Sequence, residues 1–506
     1  MMRPSLRNAG LFPESGEDPP TRRLPKSVLK EATMSCLALL CDDFYCRHLA
    51  LRSKASCRLA YFVLLCTAIS VAQSNSKIPN PLVLPDASGQ LSTYTTKGFI
   101  DTTNPFFQNL GTNGRTCNTC HRPEDAWTIT PSSLQTRFNA TAGLDPVFNF
   151  FDGTNCQTSD QSTVAARQQA SSLLLSKGLI RIGMTLPINA EYSLTVEKDP
   201  YGCALTTDSS GNTIVAVYRR PLPTAGVIFL STVMWDGRET FSGKSIHFDL
   251  TDQANGATLG HAAATDPLSS EQRDAIVSFE SSLYTAQSKD NAAGDLQAQG
   301  ALGGPLQLSV QPFFIGINDT LSPGYNPLSM NLFDSWAHIR RSNRDRYSPG
   351  RESVARGQEL FNTFKIQISG VRGVNDVLGA EVITGTCTTC HNAPNIGNHS
   401  VSLPLDLGIA SEERRTPDMP LYTFRNKTTG EVIKTTDPGR ALITGKWNHM
   451  SVFKGPILRG VAARAPYFHN GSAATLDEVV KFYNDRFKLD LSDEQKQDLV
   501  AFLRSL

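Results

Sequence analysis

The sequence has almost no net charge. Its 506 residues carry 48 Lys and Arg against 47 Asp and Glu, a formal +1, and only 19% are charged. That balance gives no electrostatic footprint for nucleic acid or for a strongly charged partner surface. A membrane-spanning run is lacking as well. The apolar stretch Leu59 to Ala72 (LAYFVLLCTAISVA) holds fourteen residues, where roughly 20 are wanted to cross a bilayer. Arg52, Lys54 and Arg58 precede it and the small residues Ser70-Val71-Ala72 close it. Residues 1–72 therefore read as an N-terminal extension plus a secretory signal peptide cleaved after Ala72, with export to the periplasm. Such a signal does not explain residues 1 to about 45, which an over-extended start codon would account for.

Five of the eleven cysteines (Cys36, Cys41, Cys46, Cys57, Cys66) fall in that leader. Six remain beyond it. Cys156 and Cys203 are either a disulfide, as an oxidising compartment allows, or two buried thiols. The other four stand in two copies of one pattern, Cys117-Asn118-Thr119-Cys120-His121 and Cys387-Thr388-Thr389-Cys390-His391. Two cysteines three apart at a helix start can form thioethers to the two vinyl groups of one porphyrin. The adjacent histidine then lies under the iron. Two covalent c-type haems are thus expected, held by Cys117, Cys120 and His121 and by Cys387, Cys390 and His391.

A repeat supports the pairing. Leu268 to Leu283 reads LSSEQRDAIVSFESSL, and Leu491 to Leu506 reads LSDEQKQDLVAFLRSL. Ser269 with Gln272, and Ser492 with Gln495, have capping-box spacing. In the second copy Leu499, Phe502, Leu503 and Leu506 share a helical face. The expected fold is mainly α: two cytochrome c-like helical domains, each binding one haem, with extra loops and short strands such as Thr213–Val217. The first domain is placed at 95–285 and the second at 350–506. The Gly-, Pro-, Asn- and Ser-rich stretch 286–349 connects them, packed on the domains through Trp336 and His338.

The ligand on the far side of each iron decides between electron transfer and peroxide or dioxygen chemistry. After His121 the next histidine is His247, and His261 is better placed, as a distal ligand or a pocket acid–base. For the second haem, Thr475 and Glu478 predict a helix start. Leu476, Val479, Val480 and Tyr483 then share one face, which makes Tyr483 a candidate axial ligand beside Met450 and Met419.

Together with both CxxCH sites, Met234-Trp235-Asp236-Gly237-Arg238, Thr436-Asp437-Pro438-Gly439-Arg440, Phe453-Lys454-Gly455-Pro456-Ile457-Leu458-Arg459 and Ala465-Pro466-Tyr467-Phe468-His469-Asn470-Gly471 resemble the bacterial di-haem cytochrome c peroxidase and MauG superfamily. The resemblance covers roughly residues 95–285 and 350–506. It implies a peroxide-reacting N-terminal haem, an electron-relaying C-terminal haem, Trp235 coupling the two, and His469 among the cofactor-binding residues. It also implies a calcium ion held partly by the backbone carbonyls of Arg464 and Pro466, with Arg464 replacing the usual threonine. Tyr483 falls where the peroxidases place a methionine ligand, as in the MauG branch. Gln253 belongs to the Gln253-Ala254-Asn255-Gly256 segment that precedes the family's distal glutamate, but that count reaches Ala263, so His261 is the substitute acid–base.

The expected function is an exported peroxidase-like oxidoreductase. Its partners would be hydrogen peroxide, a small redox protein donor or a protein substrate, a second copy in a homodimer, and no nucleic acid. The alternative is an electron-carrying di-haem cytochrome with both irons six-coordinate.

Overall fold

The computed structural model describes residues 76–506. The signal peptide and its cleavage after Ala72 lie outside the described residues. No helix among these is long and apolar enough to cross a membrane.

The expectation of a mainly α chain is corrected. Helix accounts for 33% and strand for 19%, in eleven helices and five sheets among the described residues. Much of the strand comes from segments whose partners lie far away in sequence. Gly89–Thr95 pairs on one side with Leu82–Asp86 and on the other with Leu283–Asp290. Tyr192–Lys198 pairs antiparallel with Leu421–Asn426, so a strand before the WDGR motif lies beside one that follows the second CxxCH. Thr213–Arg219 forms with the β-prone sequence TIVAVYR and pairs with Ile180–Thr185 and Leu205–Thr207. Tyr192, Val215, Val217, Tyr422 and Phe424 bury their side chains in one cluster where these sheets meet. Cys156 and Cys203 are disulfide-bonded at a Cα separation of 6.0 Å, within the reach of such a bridge.

The repeated helices form where their capping boxes predict. In Ser270–Glu280 and Asp493–Arg504 the N-cap serine accepts from the backbone of Gln272 and Gln495, and each glutamine side chain reaches back. The C-terminal helix packs across Ser348–Thr363 at Gly357. A Cβ there would lie 1.9 Å from the Asp498 carbonyl oxygen, so the crossing needs a glycine. Leu499, Phe502, Leu503 and Leu506 fill the core below it. Trp336 of the connecting stretch is fully buried against Phe333 in that same core, whereas His338 is exposed.

Candidate functional site

Each CxxCH begins as a single 3-10 turn, Cys117–Thr119 and Cys387–Thr389. In the first, Thr116 N donates to Thr119 Oγ1 at 2.9 Å, and His121 N donates to the Cys117 carbonyl at 3.0 Å. The second repeats these contacts with Thr386, Thr389, His391 and Cys387 at the same distances. All four cysteines are free of disulfides. Burial pushes Cys117, Cys387 and Cys390 up to about 12 and Cys120 to about 11, an environment for neutral sulfur such as a thioether.

Two apolar cavities open over these turns, of about 160 and 220 Å³. Cys117, Cys120 and His121 line the first; Cys387, Cys390 and His391 line the second. His121 donates Nδ1–H to the Trp127 carbonyl at 3.1 Å and His391 to that of Gly397 at 2.6 Å. This leaves Nε2 of each ring as the nitrogen that can meet a metal. Burial lowers both histidines, His121 to about 4, which keeps the imidazole neutral and able to donate its lone pair. Paired thiols beside a neutral histidine on an apolar cavity fit a covalent haem in each.

The cavities share a wall made of Arg220 to Pro223, Trp235, Lys454 and Ile457. Trp235 donates Nε1–H to the Arg220 carbonyl at 2.8 Å and meets His469 edge-on at 6.1 Å. His469 lines the second cavity, stacks on Phe453 at 4.0 Å and is buried. Below the wall the fully buried Arg219 holds Asp437 at 2.6 and 2.8 Å and Asp236 at 2.5 Å. The WDGR and TDPGR motifs are therefore joined through one guanidinium. Met234 enters the WDGR turn at φ 65°, a left-handed conformation rarely adopted by a methionine and of the kind that clusters at functional sites.

His261 is the last residue of the helix Ile246–His261 and lines the first cavity with His121 and Gln253. Its Nδ1 meets Asp152 Oδ2 at 2.5 Å, and Arg115 pairs with the other carboxylate oxygen. Burial pushes the Asp152 carboxyl up, but the hydrogen bond and charge of His261, with Arg115, outweigh it and hold it below the usual range. Arg115 is itself fixed by the carbonyls of Pro146 at 2.7 Å and Val147 at 2.9 Å. A carboxylate thus orients the imidazole and leaves Nε2 for the cavity, an arrangement suited to proton transfer. Ala263, where the family count ends, is not among the residues lining this cavity.

In the second cavity the helix Leu476–Phe487 presents Leu476, Val479, Val480, Tyr483 and Phe487. Burial raises the Tyr483 phenol strongly, with the neighbouring Cys390 and Cys387 adding to it. Met450 packs in the sheet cluster and Met419 against Leu173 and Tyr218, and neither lines the cavity. Arg464 and Pro466 line it.

Sequence reasoning missed Asp152, Arg115, Lys454 and Glu280. No spacing rule connects Asp152 to a histidine 109 residues away. Glu280 was within reach of such reasoning: it occupies the place in the first repeat that Leu503 holds in the second. It lines the first cavity, and burial pushes its carboxyl up to about 8, so it is largely neutral at pH 7.

The family described as RoxA-like, cytochrome c-like matches residues 452–489. Cytochrome-c peroxidase IdrP2 of Denitromonas iodatirespirans is 33% identical over 141 residues, covering 25% of this chain and 38% of that protein. Cytochrome-c peroxidase IdrP1 of Pseudomonas sp. (strain SCT) is 24% identical over 54% of this chain and 78% of its own length. The methylamine utilization protein MauG of Methylorubrum extorquens is 23% identical over 44% and 61%. The chain spans 35 to 38% of the length of the first relatives it matches.

Proposed function

As a member of the di-haem cytochrome c peroxidase and MauG superfamily, this chain is, we propose, an exported haem oxidoreductase that reduces hydrogen peroxide or uses it to oxidise a partner. One observation carries the reading. Two Cys-Cys-His cavities share a wall containing Trp235, and the first also holds the His261–Asp152 pair.

Two haems, when bound, would supply the redox chemistry; the side chains set their ligation and access. Cys117 with Cys120, and Cys387 with Cys390, would tether one porphyrin each, with His121 and His391 beneath the irons. His261 Nε2 is placed to take a proton from a peroxide in the first cavity and return it to the departing oxygen. Asp152 holds Nδ1–H throughout. Gln253 lines the same cavity and would orient the peroxide. Tyr483 would face the second iron, and His469 would lie beside that haem. Trp235 would couple the two sites, since its ring is part of both cavity walls. The reading includes periplasmic export with cleavage after Ala72, a small redox protein donor or protein substrate, and a homodimer.

The test is spectroscopic. Oxidised and half-reduced protein should show a high-spin haem that shifts on adding peroxide. Two low-spin haems indifferent to peroxide would sink the proposal in favour of a plain electron carrier. Asp152→Asn should cost about 10–100-fold in peroxide turnover, as loss of an orienting partner commonly does; unchanged turnover would show that the carboxylate is not needed. Tyr483→Phe should alter the visible and EPR spectra of the second haem alone. An unaltered spectrum would show that Tyr483 does not ligate it.

A further inference from the structure

Asp152, the carboxylate that meets His261, stands on a stretch with neither helix nor strand. Residues 149–163 run as irregular chain from the turn Pro146–Phe148 to the helix Val164–Ala170. Such stretches ordinarily lie on the surface and are among the first parts of a fold to open. Here Asp152, Thr154, Asn155 and Cys156 are all buried. A carboxylate that orients a catalytic imidazole must be held to about 0.5 Å by the groups behind it.

Those groups can be followed residue by residue. The Asp152 carbonyl accepts from Arg181 N in the strand Ile180–Thr185 at 2.9 Å. Gly153 lies so close to the Val147 carbonyl that a Cβ would come within 2.1 Å of its oxygen. Asn155 donates its N–H to the Ala170 carbonyl at 2.7 Å, and its own carbonyl accepts from the Tyr218 hydroxyl at 2.5 Å. Its side chain donates to Ser172 Oγ at 2.7 Å and accepts from Leu173 N at 3.2 Å. Cys156 follows, bonded to Cys203. Cys203 donates its N–H to Asp199 Oδ1 at 3.2 Å, and the carbonyl of the next residue, Ala204, accepts from Ala216 N at 2.9 Å.

Ala216 and Tyr218 both belong to the strand Thr213–Arg219. That strand therefore grips the Asp152 stretch twice, by the Tyr218 hydroxyl and through the disulfide. Its last residue, Arg219, holds Asp236 and Asp437. Asn155, Cys156, Cys203 and Tyr218 do not line the first cavity, so they reach its chemistry only through Asp152.

We propose that the Cys156–Cys203 disulfide and the Tyr218–Asn155 hydrogen bond form a positioning clamp that holds Asp152 in register with His261. The clamp rests on reading His261 and Asp152 as the acid–base pair of the first cavity. It makes the strand Thr213–Arg219 the common support of that pair and of the wall between the cavities.

The experiment uses the full haem-loaded chain and a double-mutant cycle. Tyr218→Phe, and separately the Cys156→Ser/Cys203→Ser pair, are made in the parent and in Asp152→Asn. In the parent each should lower peroxide turnover by about 10-fold, the smaller end of what an orienting partner contributes. In the Asp152→Asn background neither should lower it further, because residues acting through one group are not additive. Hydrogen–deuterium exchange gives a readout independent of turnover: residues 149–156 should lose protection in both variants. Equal losses in the two backgrounds, undiminished turnover in the parent background, or unchanged protection would overturn the clamp. Unchanged turnover in Asp152→Asn alone would overturn the acid–base reading itself, and the clamp with it. If the serine pair fails to fold, the Tyr218→Phe cycle decides, since phenylalanine keeps the buried ring and removes only the hydroxyl.

Discussion

Replacing His261 with alanine is expected to lower kcat/KM for hydrogen peroxide by about 10²- to 10⁴-fold, the range that a positioned acid–base group contributes. The expectation depends on which ring nitrogen is engaged. Nδ1 is held by Asp152 at 2.5 Å, so only Nε2 remains for chemistry in the cavity. An acid–base histidine and a ligating histidine predict opposite results. If Nε2 moves protons, its removal slows turnover and leaves the high-spin spectrum of the resting protein unchanged. If Nε2 binds iron, its removal opens a coordination site, turns a low-spin haem high-spin and raises the rate with peroxide. Stopped-flow turnover and EPR on one variant therefore separate the two roles. Asp152→Asn gives a milder version of the acid–base outcome, because asparagine can still touch the ring but no longer stabilises its charged form.

Arg219→Leu is expected to destabilise the chain by about 3–5 kcal/mol, the usual cost of removing one partner from a buried ion pair. Arg219 is fully buried; its loss would leave Asp437 without its cation and Asp236 with Arg238 alone. Lys481→Ala, at the exposed pair with Asp485, should leave stability nearly unchanged. Denaturant unfolding of both variants tests the contrast, and equal effects would contradict it. The pH dependence has a definite sign. Burial pushes the Asp236 carboxyl up, but Arg219 and Arg238 outweigh it and hold it below the ordinary carboxylate range. A depressed folded value stabilises above the unfolded pKa of about 3.9 and is lost as acid protonates the group. The parent should therefore lose this contribution below about pH 4. Because Asp236 adjoins Trp235, Arg219→Leu should also slow electron exchange between the two sites.

The sequence by itself determined the features whose physics is local. A CxxCH turn is five residues whose hydrogen bonds close within the motif and the threonine just before it, and both copies form the same turn. The capping boxes at Ser269 and Ser492 likewise need only their own first turn. The Thr475 box formed only in part: its hydroxyl accepts from Glu478 N, but the Glu478 carboxylate takes the backbone of Ala474 instead. Tyr483 faces the second cavity because helical periodicity carries Leu476 and Val480 onto the same side.

Only the tertiary structure decided what depends on partners distant in the chain. Tyr192–Lys198 is a strand because Leu421–Asn426 lies beside it, and nothing near residue 195 names that partner. For this reason the helix-based expectation undercounted strand. Asp152 orients His261 across 109 residues, and Arg220 meets the His469 carbonyl through a fold that brings the two motif regions together. The charge of the shared wall follows the same rule. Arg220, Lys454 and Arg464 look like ordinary surface cations in a chain of formal charge +1. Folding removes them from water and gives them main-chain oxygens as hydrogen-bond partners.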